Sequence, residues 1–298
     1  MYGTAPDGTT IDRPRPGGAA PAKLPLTNGR RAALVLGVPV CLACVLAIAF
    51  SLVGTLGRGS FPVRYALPSG TTSVSVSTSG GSLSVRPAAH GAGSFTGTAY
   101  YSLIRPHVTE NSPAGQVDVG YRCVVPTGDC GLNGTLTLPT GTPISVNTGG
   151  GNVNALGLSG QVTISTNGGE LKASGLNGDL TLDTGGGNIS ATTVAGSQVT
   201  ADTSGGELAA TSVTSPQFIA NTGGGDVEIV FTAAPRDVQV DSSGGEVTII
   251  VPPGGTNYRV TTTLNGGTPY VTIPTSASSP NQITATTGGG NLTIEQAP

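Results

Sequence analysis

Three carboxylates recur at near-even spacing in the second half of the chain: Glu207, Asp226 and Glu246, 19 and 20 residues apart. Each follows a Gly-Gly pair, so one local structure should present all three. Clustered carboxylate oxygens suit hard cations, and a low-affinity Ca²⁺ site is the chemistry they could support. The competing reading is a solvated edge with no ligand. Cys123 and Cys130 carry the second chemistry. Outside the cytoplasm two thiols seven residues apart can oxidise, and a disulfide closing a small loop is expected. Cys41 and Cys44 form a C-x-x-C inside an apolar run that disfavours thiolates, so they read as small apolar residues.

Other chemistry is sparse. His90 and His107 are the only histidines and assemble neither a metal cluster nor a Ser-His-Asp set. The recurring G-G-G-N string is followed by no Lys-Ser/Thr, so it reads as a structural corner rather than a phosphate cradle. From Gly57 onward fourteen acidic residues stand against eight basic ones, scattered along the chain, and Trp is absent. No catalytic residue and no cofactor beyond the Ca²⁺ candidate are expected. Nor is a nucleic-acid partner.

The elements that position these residues repeat. The phrase Asn147-Thr148-Gly149-Gly150-Gly151-Asn152-Val153 returns as Ser165-Thr166-Asn167-Gly168-Gly169-Glu170-Leu171 and Asp183-Thr184-Gly185-Gly186-Gly187-Asn188-Ile189. It returns again around Thr203, Thr222, Ser242 and Thr287, degenerately at Leu264, and as an outlying first copy around Thr78. Contiguous copies are spaced 18, 18, 19, 19, 20, 22 and 23 residues. Apolar residues sit two and four before the Thr, as in Ile164 and Val162, and five and seven after it, as in Leu171 and Ala173. That is period two, so each copy is a strand, a Gly-Gly corner and a second strand.

One copy cannot fold alone. Ordering its residues costs on the order of 20–30 kcal/mol, while burying four or five small apolar side chains returns about 10 kcal/mol. Stacking supplies the rest. An all-β, single-stranded β-solenoid of about nine rungs is expected, ~4.8 Å per rung, with corner glycines at positive φ. In the column after each Gly pair, which runs Asn152, Glu170, Asn188, Glu207, neutral Asn188 would separate Glu170 from Glu207, sparing like-charge neighbours.

Residues 32–56 contain no Asp, Glu, Lys, Arg or His and would reach about 37 Å as a helix, enough to span a bilayer. Five basic residues precede the stretch and Arg58 and Arg64 follow it, which directs the N-terminus to the cytoplasm. A 25-residue stretch exceeds a signal-peptide core, although Ala47-Ile48-Ala49 imitates a cleavage site. The organisation expected is a disordered cytoplasmic tail at 1–31, one transmembrane helix at 32–56 and a linker at 57–70. An exported solenoid follows at 71–298, interrupted by an insertion at 87–142 that forms a flap or side layer.

The T-G-G-G-N and S-G-G-E corners between alternating strands, behind one N-terminal anchor, resemble a bacterial family of proposed adhesins with toast-rack-like β-solenoid domains. The resemblance covers roughly 60–298. It implies a single-pass cell-membrane protein with its C-terminal domain extracellular, acting in attachment or as an envelope structural and interaction module. The alternative is a solenoid that binds or cleaves glycans. Partners to expect are the membrane through 32–56 and an envelope protein or a glycan.

Overall fold

The computed structural model describes Val40, Cys44, Val45, Ala47 and residues 58–298, less 90, 103, 107, 112–114 and 124–129, with only backbone at 110 and 111. The chain divides into two compact units, Met1–Leu52 and Val53–Pro298. The four described residues of the first are helical and exposed. Among the described residues no helix is long and apolar enough to cross a membrane. The expected tail 1–31 and the rest of the span 32–56 lie outside the described residues.

The second unit is built of strands. It opens with β1 (Arg58–Ala66), β2 (Ser73–Thr78), β3 (Leu83–Pro87), β4 (Ser94–Ser102), β5 (Val108–Asn111), β6 (Gln116–Tyr121) and β7 (Gly131–Leu138). Regular pairs follow: β8 (Ile144–Thr148) with β9 (Val153–Leu156), β10 (Val162–Thr166) with β11 (Leu171–Asn177), and β12 (Leu180–Thr184) with β13 (Ile189–Ala195). Then come β14 (Gln198–Thr203) with β15 (Leu208–Val213), β16 (Gln217–Thr222) with β17 (Val227–Phe231), and β18 (Asp237–Ser242) with β19 (Val247–Val251). The last four are β20 (Arg259–Leu264), β21 (Pro269–Val271), β22 (Gln282–Thr287) and β23 (Leu292–Gln296).

The first strand of each pair joins an 11-stranded sheet and the second a 12-stranded one, so the two sheets face each other across the core. Neighbouring copies pair in parallel, as Val162–Leu180 through Thr166–Thr184, with a bulge between Ala210 and Val213 where β15 meets β17. Alternation sets the packing. β10 buries Val162, Ile164 and Thr166 and leaves Thr163 and Ser165 half-exposed. From the facing sheet Leu171, Ala173, Ile189 and Ala191 close the core. Phe218 and Phe231 meet edge-on at 5.9 Å within the core, a favoured aromatic geometry.

Rung order departs from chain order at both ends. β2–β3 lies between β6–β7 and β8–β9, and β22–β23 lies between β18–β19 and β20–β21. The expected insertion therefore supplies a full rung, β6–β7, making ten among the described residues. Its β4 pairs antiparallel with β7, and β1, from before the insertion, antiparallel with β4, so the two extend the 12-stranded sheet past its last rung instead of forming a side layer. Residues 58–66, expected within a linker, are β1.

The corners correct a second expectation. Of the glycines in the Gly-Gly phrases, only Gly81 and Gly267 have positive φ. At the last position of the regular phrases the residue is glycine because rungs touch there, whereas the middle position is open. A Cβ on Gly169, Gly187, Gly206, Gly225 or Gly245 would sit 1.9–2.0 Å from the carbonyl oxygen of the preceding rung's last corner glycine. Beneath several of the regular corners a buried hydroxyl links two rungs. The Gly187 N–H donates to Thr184 Oγ1 at 3.0 Å, and that hydroxyl donates to the Gly169 carbonyl at 3.0 Å. Thr166, Thr203 and Thr222 repeat the pattern. A Thr can lie in this apolar core because both its donor and its acceptor are satisfied.

Candidate functional site

The residue before each buried hydroxyl faces outward on the 11-stranded sheet. Parallel register stacks Asp183 on Asp202, Asp202 on Asn221 and Asn221 on Asp241. These four line a shallow groove of about 360 Å³, with Ser204 and Ser243 at its rim. The Asn221 amide donates to Asp202 Oδ1 at 2.6 Å, and Ser165 Oγ donates to Asp183 Oδ2 at 3.4 Å. Asn221 thus gives Asp202 and Asp241 a neutral rung neighbour on that side, whereas Asp183 and Asp202 stack directly. Chemically the row is a strip of acceptor oxygens at rung spacing, suited to hydroxyl donors or cations. Sequence reasoning missed it by weighing only the column after the glycines. The signal was present, since the residue before the Thr or Ser in successive phrases is Asp183, Asp202, Asn221 and Asp241.

The column that sequence reasoning did single out serves the fold. Glu207, Asp226 and Glu246 fall on three successive rungs. Asp226 Oδ1, however, accepts the Glu246 N–H at 2.8 Å. Asn188 Oδ1 does the same for the Glu207 N–H at 3.0 Å and Asn152 Oδ1 for the Glu170 N–H at 2.9 Å. The two end pairs comply as well, with Asn133 accepting from Ser82 at 2.7 Å and Asn291 from Thr268 at 3.2 Å. In spatial order the acceptor therefore appears on every second rung. Asp226 continues the Asn series instead of breaking it, because only an acceptor oxygen at Cγ is needed. Among the described residues no three His, Cys, Asp or Glu side chains are grouped so as to hold a metal ion. Glu170 carries an ion pair with Lys172 at 2.9 Å, on the surface and worth little.

Cys123 and Cys130 form a disulfide with Cα atoms 6.2 Å apart, across the corner that joins β6 to β7. This corner lacks the glycine phrase, and the covalent link stands in its place. Beside it lies a larger cavity of about 710 Å³, lined among others by Ser77, Thr109, Tyr121 and Arg122. The Tyr121 hydroxyl donates to the Tyr100 carbonyl, and burial, with a smaller contribution from Tyr101, raises its pKa above the ordinary phenol value. Arg105 stacks 4.1 Å over the Phe61 ring, a cation–π contact tying a loop to β1. His90 and His107 lie outside the described residues.

A sequence model of the family described as Toastrack DUF4097 matches residues 63–295. No curated protein matches the chain. Solved structures with a similar fold include a proposed cell adhesion protein from Clostridium sporogenes, 11% identical with a TM-score of 0.30 over 80% of this chain and 100% of that one. A proposed adhesin from Bacteroides fragilis is 14% identical with a TM-score of 0.39, and one from Parabacteroides distasonis is 14% identical with a TM-score of 0.46. Each covers 80% of this chain and 97% of its own.

Proposed function

Because the chain belongs to the Toastrack DUF4097 family, we propose that it is a membrane-anchored, non-catalytic surface module whose solenoid offers ordered polar columns to a partner at the cell envelope. The observation that carries this reading is the in-register strip of Asp183, Asp202, Asn221 and Asp241. Backbone pairing on both sides fixes every member of the strip, so the surface is preorganised and little ordering entropy is lost on binding. The uncharged stretch 32–56 supports a retained anchor, with the N-terminus in the cytoplasm and the solenoid outside.

Two experiments test it. Protease added to intact cells should remove the solenoid and spare the tail, whereas a mature N-terminus at Phe50 would overturn the anchor. The full chain should capture an envelope protein or a glycan, and Asp202→Ala with Asp241→Ala should weaken capture without changing the melting temperature. The glycan-cleaving alternative predicts turnover on polysaccharide that disappears in one of the same two variants.

A further inference from the structure

Solenoid ends expose unpaired strand edges, and proteins normally blunt them with charge, proline, short strands or a covering layer. Three of the four sheet ends here are treated in that way. At the N-terminal end, the 12-stranded sheet finishes on β1, which carries Pro62, Arg58 and Arg64 and lies antiparallel to β4. The 11-stranded sheet finishes on the four-residue β5. At the C-terminal end, the 12-stranded sheet finishes on the three-residue β21, with Pro269 in it.

The fourth end is open. β20 is six residues long, Arg-Val-Thr-Thr-Thr-Leu, with no Pro and one charge. Its residues alternate between exposed and half-buried, and none is buried. The inward-facing Val260 and Leu264, with Val271 on β21, pack on the core from one side only. The Arg259 and Asn265 N–H groups bond inward to Asn281 and Thr287. Strand alternation then turns the backbone groups of Val260, Thr262 and Leu264 to the free edge. Tyr258 is covered there by the 274–276 segment through Pro274 and Ser276. From Val260 onward no strand among the described residues pairs with that edge.

We infer that the β20 edge is a docking site for β20 of a second copy of this chain, paired antiparallel about a two-fold axis through Thr262. The sequence is self-complementary in that register. Val260 faces Leu264 of the second copy on the core side, extending the apolar interior across the junction. Thr261 faces Thr263 on the outer side, a favourable cross-strand pair. Thr262 meets its own counterpart, and Arg259 meets Asn265. No acidic side chain lies in the rung, so two copies approach without carboxylate repulsion. The Asn265–Gly267 corner turns each chain away before it reaches the other's Thr275. The contact is isologous and closed, which limits it to a dimer and not a filament.

The test uses the full chain in detergent solution. Light scattering should give a protein mass of twice 29.2 kDa. Thr262→Pro removes an N–H that the fold does not use, so its melting curve should match the parent while association weakens about tenfold or more, having lost two backbone hydrogen bonds. A second measurement does not depend on proline being tolerated. Thr261 and Thr263 of the two copies form a non-hydrogen-bonded pair, where side chains lie closest. Thr261→Cys protein mixed with Thr263→Cys protein should therefore cross-link on oxidation, and neither should do so beyond the parent level alone. A parent that is monomeric at all concentrations would overturn the proposal. So would a dimer that survives Thr262→Pro and gives no cross-link specific to the mixture.

Discussion

At Asp226 the side chain's work is to accept one N–H from the next rung, so its charge should be dispensable. Asp226→Asn, which copies Asn152, Asn188 and Asn291, should leave urea melts within about 0.5 kcal/mol of the parent. Asp226→Ala, which strands the Glu246 N–H at the surface, should cost about 1 kcal/mol. Equal losses for the two variants would mean that the carboxylate itself matters, as a cation site at Glu207, Asp226 and Glu246 requires. Tyr258 poses the opposite case. Its ring is buried and its hydroxyl has no partner among the described residues, so the hydroxyl costs stability. Tyr258→Phe should stabilise by about 1 kcal/mol. Burial also raises the Tyr258 pKa. A raised folded pKa gives stability that is complete below the unfolded phenol value of about 10 and is lost as pH rises through the folded value. Alkaline melts should therefore steepen above about pH 10 in the parent and less so in the Phe variant. Tyr121 keeps the remaining slope, since its phenol is raised as well.

The corner shows what sequence can and cannot reveal about an element. Strand positions were legible because alternation at Val162-Thr163-Ile164 leaves no other period, and parallel stacking of consecutive copies followed from the energetic need for neighbours. The reason for the glycines was not legible. Positive φ and close backbone approach both select glycine, and only coordinates separate them. The structure assigns different duties within one phrase. A Cβ on Gly186 would meet nothing within 4 Å, whereas one on Gly187 would lie 1.9 Å from the Gly169 carbonyl oxygen. Gly186→Ala should therefore be neutral or add about 0.4–1 kcal/mol by restricting the unfolded chain. Gly187→Ala should force two rungs apart and cost about 3 kcal/mol or more. A series of thermal melts decides it, and similar losses at both positions would mean that the corner is governed by φ after all. The first corner position adds a two-rung rhythm. A Cβ on Gly149, Gly185, Gly223 or Gly288 would strike the carbonyl below at 2.1–2.4 Å, while Asn167, Ser204 and Ser243 take the alternate rungs. The same rhythm runs through the acceptor column, so the structural repeat spans two copies of the sequence repeat.

Over the whole molecule the repeat fixed the architecture but not the order of the rungs. Nothing in a periodic sequence tells the last copy to stack second from the end, because Ile283, Ala285, Leu292 and Ile294 would satisfy the core pattern at either position. The residues of β20 and β21 suit the outside, since Thr262 and Pro269 stand where other rungs carry apolar core residues such as Val240 and Val247. It makes the C-terminus structurally interior. β22 pairs with β18 on one side and β20 on the other, and β23 pairs with β19 and β21. Removing 281–298 therefore deletes the only neighbour of β20–β21 among the described strands and uncovers β18–β19. In a quasi-one-dimensional fold each rung is stable only through its neighbours, so the truncated protein should lose two rungs, not one. Hydrogen exchange should find amides of 259–271 unprotected in the truncated chain, although those residues are still present, while 162–231 keep near-parent protection. Protection retained across 259–271 would mean that β20–β21 can move inward and pair with β18–β19, and chain order would then be an available alternative packing.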